Sequence, residues 1–488
     1  MTGQEEEVFF FEKKNQKTFV NLSGAFPANL FAGRRYRIVG LGRNGLPVAR
    51  ALSAMGADVA VWDDHENARA SAQAENLTLK DLTEGFAGVT ALILSPGIPH
   101  HLPQPHPAAL AAKAAGVPIL SDAELLFEAV RLAGSNARFV GVTGTNGKST
   151  TTSLIAHLLA HAGIPAAAGG NLGTASLALP LLPDHGVYVL EMSSYMLERI
   201  ATLRFDAAIM LNLTPDHLDR HGDMAGYALA KRAIFARQTA LDLAVVGVDD
   251  EYSRNIARSH GLARLIRISE YSRAKAVADC PPDLWPEGDT LFDHTGARFD
   301  LASAPALPGG HNAENIAASL AVAEYLGVGR DIAAEAVRTF EGLPHRQSLV
   351  AISNGVAWID DSKATNADAA ARALACYPRL IWIAGGLAKS GGIESLARFF
   401  PQIMFALLIG ADAPLLAATL KQHQVPHRIV ETMDKAVAGA AVLAFSERAS
   451  VVLLSPACAS FDQYPGFEAR GNHFAELVRA RIAGGEIT

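Results

Sequence analysis

Phe139-Val-Gly-Val-Thr-Gly-Thr-Asn-Gly-Lys-Ser-Thr150 decides how this chain is read. Phe139 to Thr143 is a short apolar strand pattern, and the residues from Thr150 to Ala160 have helical spacing. Between them lies a glycine loop ending in Gly147-Lys148-Ser149. A triphosphate needs this arrangement: backbone N–H groups cradle the phosphates, a lysine meets the β and γ charges, and a serine hydroxyl reaches a divalent cation. The loop departs from the strict form of the pattern, because Val142 stands five residues before Gly147 where a glycine is usual.

Working outward from this loop, strands are predicted at Val187–Leu190, Ala207–Leu211 and Leu243–Gly247, and a helix from Asn312 to Leu326. Residues 253–308, richer in proline, glycine and charge, read as loops or an edge element. Upstream, Arg37–Gly40, Asp58–Trp62 and Ala91–Ser95 read as strands, with a helix from Leu46 to Met55. Downstream, strands fit Ala357–Asp360, Leu380–Ala384, Phe405–Gly410 and Val451–Ser455, with alanine-rich helices between. Repeated alternation of strand and helix predicts parallel sheets built from βαβ units. The expected architecture is three consecutive α/β domains: 31–131 Rossmann-like, 132–344 a phosphate-loop ATPase domain, and 345–488 Rossmann-like. Residues 1–30 read as a poorly ordered extension.

Composition narrows the function. The chain has 488 residues, 50% hydrophobic and 19% charged, with a formal net charge of −7. That balance argues against a nucleic-acid partner. Gly, Pro and charges interrupt every apolar run before the ~18 residues that a membrane span needs. Cys280, Cys376 and Cys458 are scattered without metal spacing and fit a reducing compartment. The N-terminus has its acids ahead of a short aromatic cluster, the wrong order for a secretory signal. A cytoplasmic protein is expected.

Other residues suggest chemistry. Gly40-Leu-Gly42-Arg-Asn-Gly45 lies between a strand and a helix, and Asp63 ends the next strand. This reads as a site for a nucleotide diphosphate, which NAD or UDP satisfies equally, or as a tight turn with no ligand. Glu191 ends an apolar strand and can face the phosphates through a metal, or it can cap a helix. Asn212-Leu-Thr-Pro-Asp-His-Leu-Asp219 follows another strand, and His217 is either a metal ligand or structural.

At this point the sequence resembles the Mur ligases, a family that includes relatives adding glutamate to folate. The resemblance runs from about Arg35 to the end and rests on Thr143–Ser149, Asn212–Asp219, Gly310-His-Asn-Ala-Glu-Asn315 and Leu343-Pro-His-Arg346. Asp360-Asp-Ser-Lys-Ala-Thr-Asn366 and Ser455-Pro-Ala-Cys-Ala-Ser-Phe-Asp-Gln-Tyr464 are similar to the member that adds D-glutamate to UDP-N-acetylmuramoyl-L-alanine. That reaction is ATP-dependent, passes through an acyl phosphate and serves peptidoglycan synthesis.

The resemblance implies roles residue by residue. Gly144, Thr145, Asn146, Gly147, Lys148, Ser149, Thr150, Asn312, Asn315, Arg346 and Asp361 would hold ATP. Ser149, Glu191, His217 and Lys231 would hold two Mg²⁺, with Lys231 carrying a CO2-derived carbamate; read alone, Lys231 is an exposed helix lysine. Lys148, Glu191, His217 and Lys231 are then the expected catalytic set. Leu41, Arg43, Asn44, Asp63, Ser95 and Gly97 would contact the UDP portion, and Asn171 the carboxylate end of that substrate. Lys363 and Thr365 would sit beside the nucleotide grip. Lys389, Ser460, Phe461 and Phe467 would frame D-glutamate, although Lys389 lacks the aspartate often found after the two glycines there. A monomer is expected. The alternatives are another amide ligase of the family, an NAD-dependent oxidoreductase resting on Gly40 to Asp63, and a non-catalytic nucleotide-binding scaffold.

Overall fold

The computed structural model describes residues 24–81, 85–171, 173–389, 391–447 and 449–485. Its strands form three sheets. The first contains β1 (Arg35–Val39), β2 (Asp58–Trp62), β3 (Thr78–Leu79), β4 (Ala91–Leu94) and β5 (Ile119–Leu120), in the order β3-β2-β1-β4-β5 with every pairing parallel. The order reverses beside β1, and the Gly40 loop leaves the carboxyl end of that strand, where open α/β sheets bind ligands.

The second sheet holds β6 (Arg138–Thr143), β7 (Ala166–Gly170), β8 (Val187–Glu191), β9 (Ala207–Met210), β10 (Leu243–Gly247), β11 (Arg264–Ile268), β12 (Leu284–Glu287), β13 (Thr290–Asp293) and β14 (Gly296–Asp300). Their order is β14-β13-β12-β11-β10-β9-β6-β8-β7, parallel except where β12, β13 and β14 turn back on one another. β6 lies between β8 and β9, so Thr143, Glu191 and Asn212 emerge together at the carboxyl ends of three adjacent strands.

The third sheet holds β15 (Ser348–Ser353), β16 (Val356–Asp360), β17 (Leu380–Gly385), β18 (Ile403–Ile409), β19 (His427–Glu431) and β20 (Val451–Leu454), in the order β15-β16-β20-β17-β18-β19. Only the β15–β16 pairing is antiparallel.

Two expectations are adjusted. Residues 253–308 do supply an edge element, the antiparallel β12, β13 and β14, but they also contribute the parallel β11. Arg264 and Arg267 break its apolar run, and Asp283 holds Arg267 through Nε–Oδ2 at 3.0 Å and Nη2–Oδ1 at 2.9 Å. Of the extension, residues 1–23 lie outside the described residues, while 24–30 are mostly exposed but tied to the fold at three points. Gly24 exchanges two backbone hydrogen bonds with Leu181, and Phe26 and Leu30 rest against the core.

One apolar core runs continuously from the first sheet into the second. It joins Phe31, Ile38 and Val61 to Phe139, Tyr188 and Met210 by way of the helix Asp122–Leu132. Buried polar contacts reinforce the seam: Glu124 accepts from the N–H groups of Ala201, Thr202 and Leu203. Arg199 donates from the second sheet's side to the carbonyls of Leu94 and Ile98. The third sheet is enclosed by cores of its own.

Candidate active site

At the first glycine loop, a Cβ on Gly45 would lie 1.8 Å from the Gly40 carbonyl oxygen, so the turn closes only with glycine there. A Cβ on Gly42 would meet nothing within 4 Å, which leaves open space where a phosphate would approach. A cavity of about 340 Å³ adjoins this loop, lined by Gly42, Arg43, Asn44, Asp63 and Ser95 among others. Asp63 accepts from the N–H of Leu41 at 2.6 Å and of His65 at 2.9 Å, so in this state it shapes the loop. Ser95 Oγ donates to the Gly40 carbonyl, and the Gly97 carbonyl accepts from Arg220 of the second domain.

The second loop opens the helix Lys148–His161, whose N-terminal N–H groups face the loop. Gly147 has φ +86°, a left-handed value that a side chain disfavours. Asn212 holds the loop from the neighbouring strand end: its carbonyl accepts from Thr145 N and its Oδ1 from Asn146 N. Thr145 Oγ1 donates to the Thr214 carbonyl. Lys148 folds over its own loop, donating to the carbonyls of Gly144 at 3.0 Å and Thr145 at 2.8 Å. Burial lowers its pKa, and the Glu191 carboxylate partly offsets that. Thr150 is half-buried in the helix's first turn. From the far side, Asn315 Oδ1 accepts from Thr151 Oγ1, and Asn315 Nδ2 donates to Asn312 Oδ1.

Glu191 is 3% exposed. Its Oε1 accepts from Asn171 Nδ2 at 2.8 Å, while its Oε2 is buried with no hydrogen-bond partner. A buried carboxylate oxygen without a donor is costly unless a cation meets it. Lys231 is also buried, at 2% exposure, which corrects the exposed-lysine reading. Its Nζ donates to the Gly144 carbonyl at 2.9 Å and to Thr143 Oγ1 at 3.2 Å. Burial drives its pKa well below the usual lysine value, and the charge of Lys148 adds to the effect. His217 adopts φ +53° and packs beside Tyr195, with ring centroids 5.1 Å apart. Burial lowers its pKa, while Asp216 opposes the shift.

Among the described residues no three His, Cys, Asp or Glu side chains form a metal cluster. The set implied for magnesium draws on Ser149 and a modified lysine as well, and the unpartnered Glu191 oxygen fits such a cation. Ser149, Glu191, His217 and a carboxylated Lys231 are oxygen and imidazole donors, with oxygens being what magnesium prefers.

The third domain reaches this site. Arg346 Nη2 donates to Ser149 Oγ at 3.2 Å. His345 at φ +61° and Gln347 at φ +46° flank it, so the arginine sits between two strained left-handed residues. His345 Nδ1 is anchored 2.7 Å from Asp360 Oδ2. Asp361 accepts from Ser455 Oγ and Gln347 N, and burial pushes its carboxyl up to about 7. Lys363 Nζ sits 4.0 Å over the Phe467 ring, and burial brings it down to about 8, with Arg346 and Arg43 contributing. Thr365 N donates to the Lys363 carbonyl.

Ser460 is buried, whereas Lys389 is exposed and Phe461 is 71% exposed. These last two do not close around a small ligand here, so this end of the site is open. Two contributors escaped the sequence reading: Asn212, whose amide organises the phosphate loop, and Arg470, described below. An amide in a polar loop leaves no spacing signal, although Asn212 stands within a segment singled out for its neighbour His217.

Fold and site together define an α/β protein whose phosphate loop, in the middle domain, is completed by an arginine from the domain that follows. Residues 142–323 match the profile of the Mur ligase middle domain. A protein of Paramagnetospirillum magneticum is 49% identical over 93% of this chain and 98% of its own length. One of Rhodospirillum rubrum is 45% identical over 93% and 96%, and one of Caulobacter vibrioides 44% identical over 94% and 98%. All three carry the name UDP-N-acetylmuramoylalanine–D-glutamate ligase. Among solved structures, the UDP-N-acetylmuramate–alanine ligase of Thermotoga maritima shares the fold, with TM-score 0.57 at 17% identity, covering 91% of this chain and 99% of that one. The UDP-N-acetylmuramoylalanyl-D-glutamyl-2,6-diaminopimelate–D-alanyl-D-alanyl ligase of Acinetobacter baumannii has TM-score 0.53 at 17% identity, covering 76% and 86%. The chain belongs to the Mur ligase family.

Proposed function

We propose that this protein joins D-glutamate to UDP-N-acetylmuramoyl-L-alanine with cleavage of ATP to ADP and phosphate, for peptidoglycan synthesis. The observation that carries the reading is near-half identity, along almost the whole chain, to ligases of that name. The chemistry of the loops is consistent with it.

A carboxylate is a poor acyl donor because its leaving group would be oxide. The substrate's alanyl carboxylate therefore attacks the γ-phosphorus of ATP; an O–P bond forms and the bond to the β–γ bridging oxygen breaks, releasing ADP. The amine of D-glutamate then attacks the acyl carbon, and phosphate departs as the nitrogen loses its proton. Lys148 turns from its loop carbonyls to the β and γ oxygens, and Arg346 adds positive charge from the third domain. Asn171 holds Glu191 in place and lies near the reacting carboxylate. Two Mg²⁺, held by Ser149, Glu191, His217 and the Lys231 carbamate, would neutralise charge on the transferring phosphoryl group.

The neutral amine that burial favours at Lys231 is the nucleophile carbamylation requires. Its lone pair bonds to the carbon of CO2, one C=O pair moves onto oxygen, and the nitrogen gives up a proton. The UDP portion lies along the first glycine loop, contacting Leu41, Arg43, Asn44, Asp63, Ser95 and Gly97. Lys389, Ser460, Phe461 and Phe467 receive D-glutamate, with Lys363 and Thr365 alongside. The protein acts as a monomer in the cytoplasm, where its nucleotide substrates are and where its three free cysteines stay reduced. No helix among the described residues is long and apolar enough to cross a membrane.

The test is phosphate release from ATP with the nucleotide sugar present and D-glutamate, L-glutamate or no amino acid added. Release that requires both the sugar nucleotide and D-glutamate is the expected result. Release with another acceptor, or with neither, would reject the assignment while keeping the ATP loop.

A further inference from the structure

Arg470, in the helix Phe467–Ala483, is 1% exposed, and none of the ion pairs among the described residues includes it. Asp462 and Asp360 act on its charge from a distance, but with no carboxylate in ion-pair contact a buried guanidinium must satisfy its N–H donors with neutral acceptors. Arg470 does so with three separate stretches of chain. Nε donates to Ser362 Oγ at 2.9 Å and Nη2 to the Ser362 carbonyl at 2.9 Å. Nη1 donates to the Cys458 carbonyl at 3.1 Å and the Gly385 carbonyl at 3.4 Å.

Those acceptors stand at the carboxyl ends of β16, β17 and β20, three adjacent strands of the third sheet. Each lies just before residues assigned above to the amino acid or beside it. Lys363 and Thr365 follow Ser362, Lys389 follows Gly385, and Ser460 and Phe461 follow Cys458. Ser362 Oγ also donates to the Phe467 carbonyl, which ties in the start of the helix. The loops carry a second layer of ties on their own, since Leu387 and Ala459 exchange backbone hydrogen bonds. Removing this guanidinium would leave three carbonyls and a hydroxyl without their donor, so the loops could keep their spacing only at a cost.

We propose that Arg470 is a positioning residue that fixes the mutual spacing of the three loops forming the amino-acid subsite. The proposal rests on reading that subsite as the D-glutamate site. Geometry accounts for the choice of residue. A planar fork reaches three carbonyl groups and a hydroxyl in fixed directions, whereas a lysine ammonium offers three donors from one point.

The experiment compares full-length Arg470→Met, Arg470→Lys and Ser362→Ala with the unaltered protein, varying ATP, the nucleotide sugar and D-glutamate in turn, with a thermal melt for each variant. Arg470→Met is expected to raise the KM for D-glutamate about tenfold or more, with the KM values for ATP and nucleotide sugar within about twofold. Arg470→Lys falls between. Ser362→Ala, which deletes one hydroxyl, shows a smaller rise in the same KM and decides the matter if the arginine variants do not fold. An unchanged D-glutamate KM in soluble variants, or equal changes in all three KM values, would overturn the proposal. If the unaltered protein uses a different amino acid, the function proposed above fails, and the same comparison run with that amino acid still decides the role of Arg470.

Discussion

Lys231 and Asp361 are both buried groups whose ordinary charge is disfavoured by their surroundings, and each has a measurable consequence. For Lys231 the consequence is chemical. Lys231→Ala removes the nitrogen that would carry the carbamate, and turnover is expected to fall about a thousandfold, the scale of losing a metal ligand. Acetate or formate, small enough to enter the space left behind, should restore part of it. A variant as fast as the unaltered protein would end the carbamate role. For Asp361 the consequence is thermodynamic. Its carboxyl sits at about 7 in the folded protein, above the ordinary 3.8, so the folded state holds its proton more tightly than the unfolded chain. The stabilisation is therefore complete below about pH 4 and is lost as pH rises toward and through 7. Asp361→Asn should flatten that dependence, by on the order of a few kcal/mol across the window. Melting curves of the two proteins between pH 4 and pH 8 provide the check, and parallel curves would contradict it.

At the scale of elements, the first glycine loop separates shape from binding. Gly45→Ala forces a Cβ against the Gly40 carbonyl, so the strand–turn–helix unit must shift. A loss of about 1–3 kcal/mol in stability is expected, as for other substitutions that overfill a packed site. Gly42→Ala meets no atom within 4 Å and should fold normally; if the diphosphate lies along this loop as proposed, the added methyl group should weaken binding of the nucleotide sugar. Thermal melts and nucleotide-sugar titrations of both variants separate the effects, and equal behaviour would refute the distinction. The same loops show what a sequence displays and what it hides. Both glycine loops were legible because only glycine permits such close approach and such φ values, and the buried parallel strands β6, β8, β9, β10 and β17 because both faces are apolar. β7, Ala166-Ala-Ala-Gly-Gly170, was not legible, since alanine and glycine carry little strand preference and pairing with β8 alone makes it one. β15 escaped because its pattern is that of a half-exposed edge strand. At the site, motif residues could be matched one by one. The burial of Lys231 and the orphaned oxygen of Glu191 depend on packing between distant segments, which no local pattern encodes.

Over the whole molecule, the difference between the two domain seams sets the expected motion. The first and second domains share one apolar core and a set of buried polar bridges, so they should move as a single body. The third has separate cores and meets the second through polar contacts such as Arg346 to Ser149 and Cys376 Sγ to the Pro308 carbonyl. Seams of that kind permit domain motion by default. The nucleotide would change this, because its phosphates would lie against the second domain while Arg346 and Asp361 grip it from the third. A ligand bound only by the closed form stabilises that form by RT ln(1 + [L]/Kd), about 2.7 kcal/mol at a hundredfold excess over Kd. Calorimetry of the protein alone should therefore show the third domain melting apart from the other two, and a non-hydrolysable ATP analogue with magnesium should merge the transitions. Arg346→Ala should keep the separate transitions in the presence of the analogue, and its KM for ATP should rise about tenfold with a comparable fall in kcat. If this variant merged its transitions and turned over normally, closure would not depend on the arginine, and the completion of the phosphate site from the third domain would have to be abandoned.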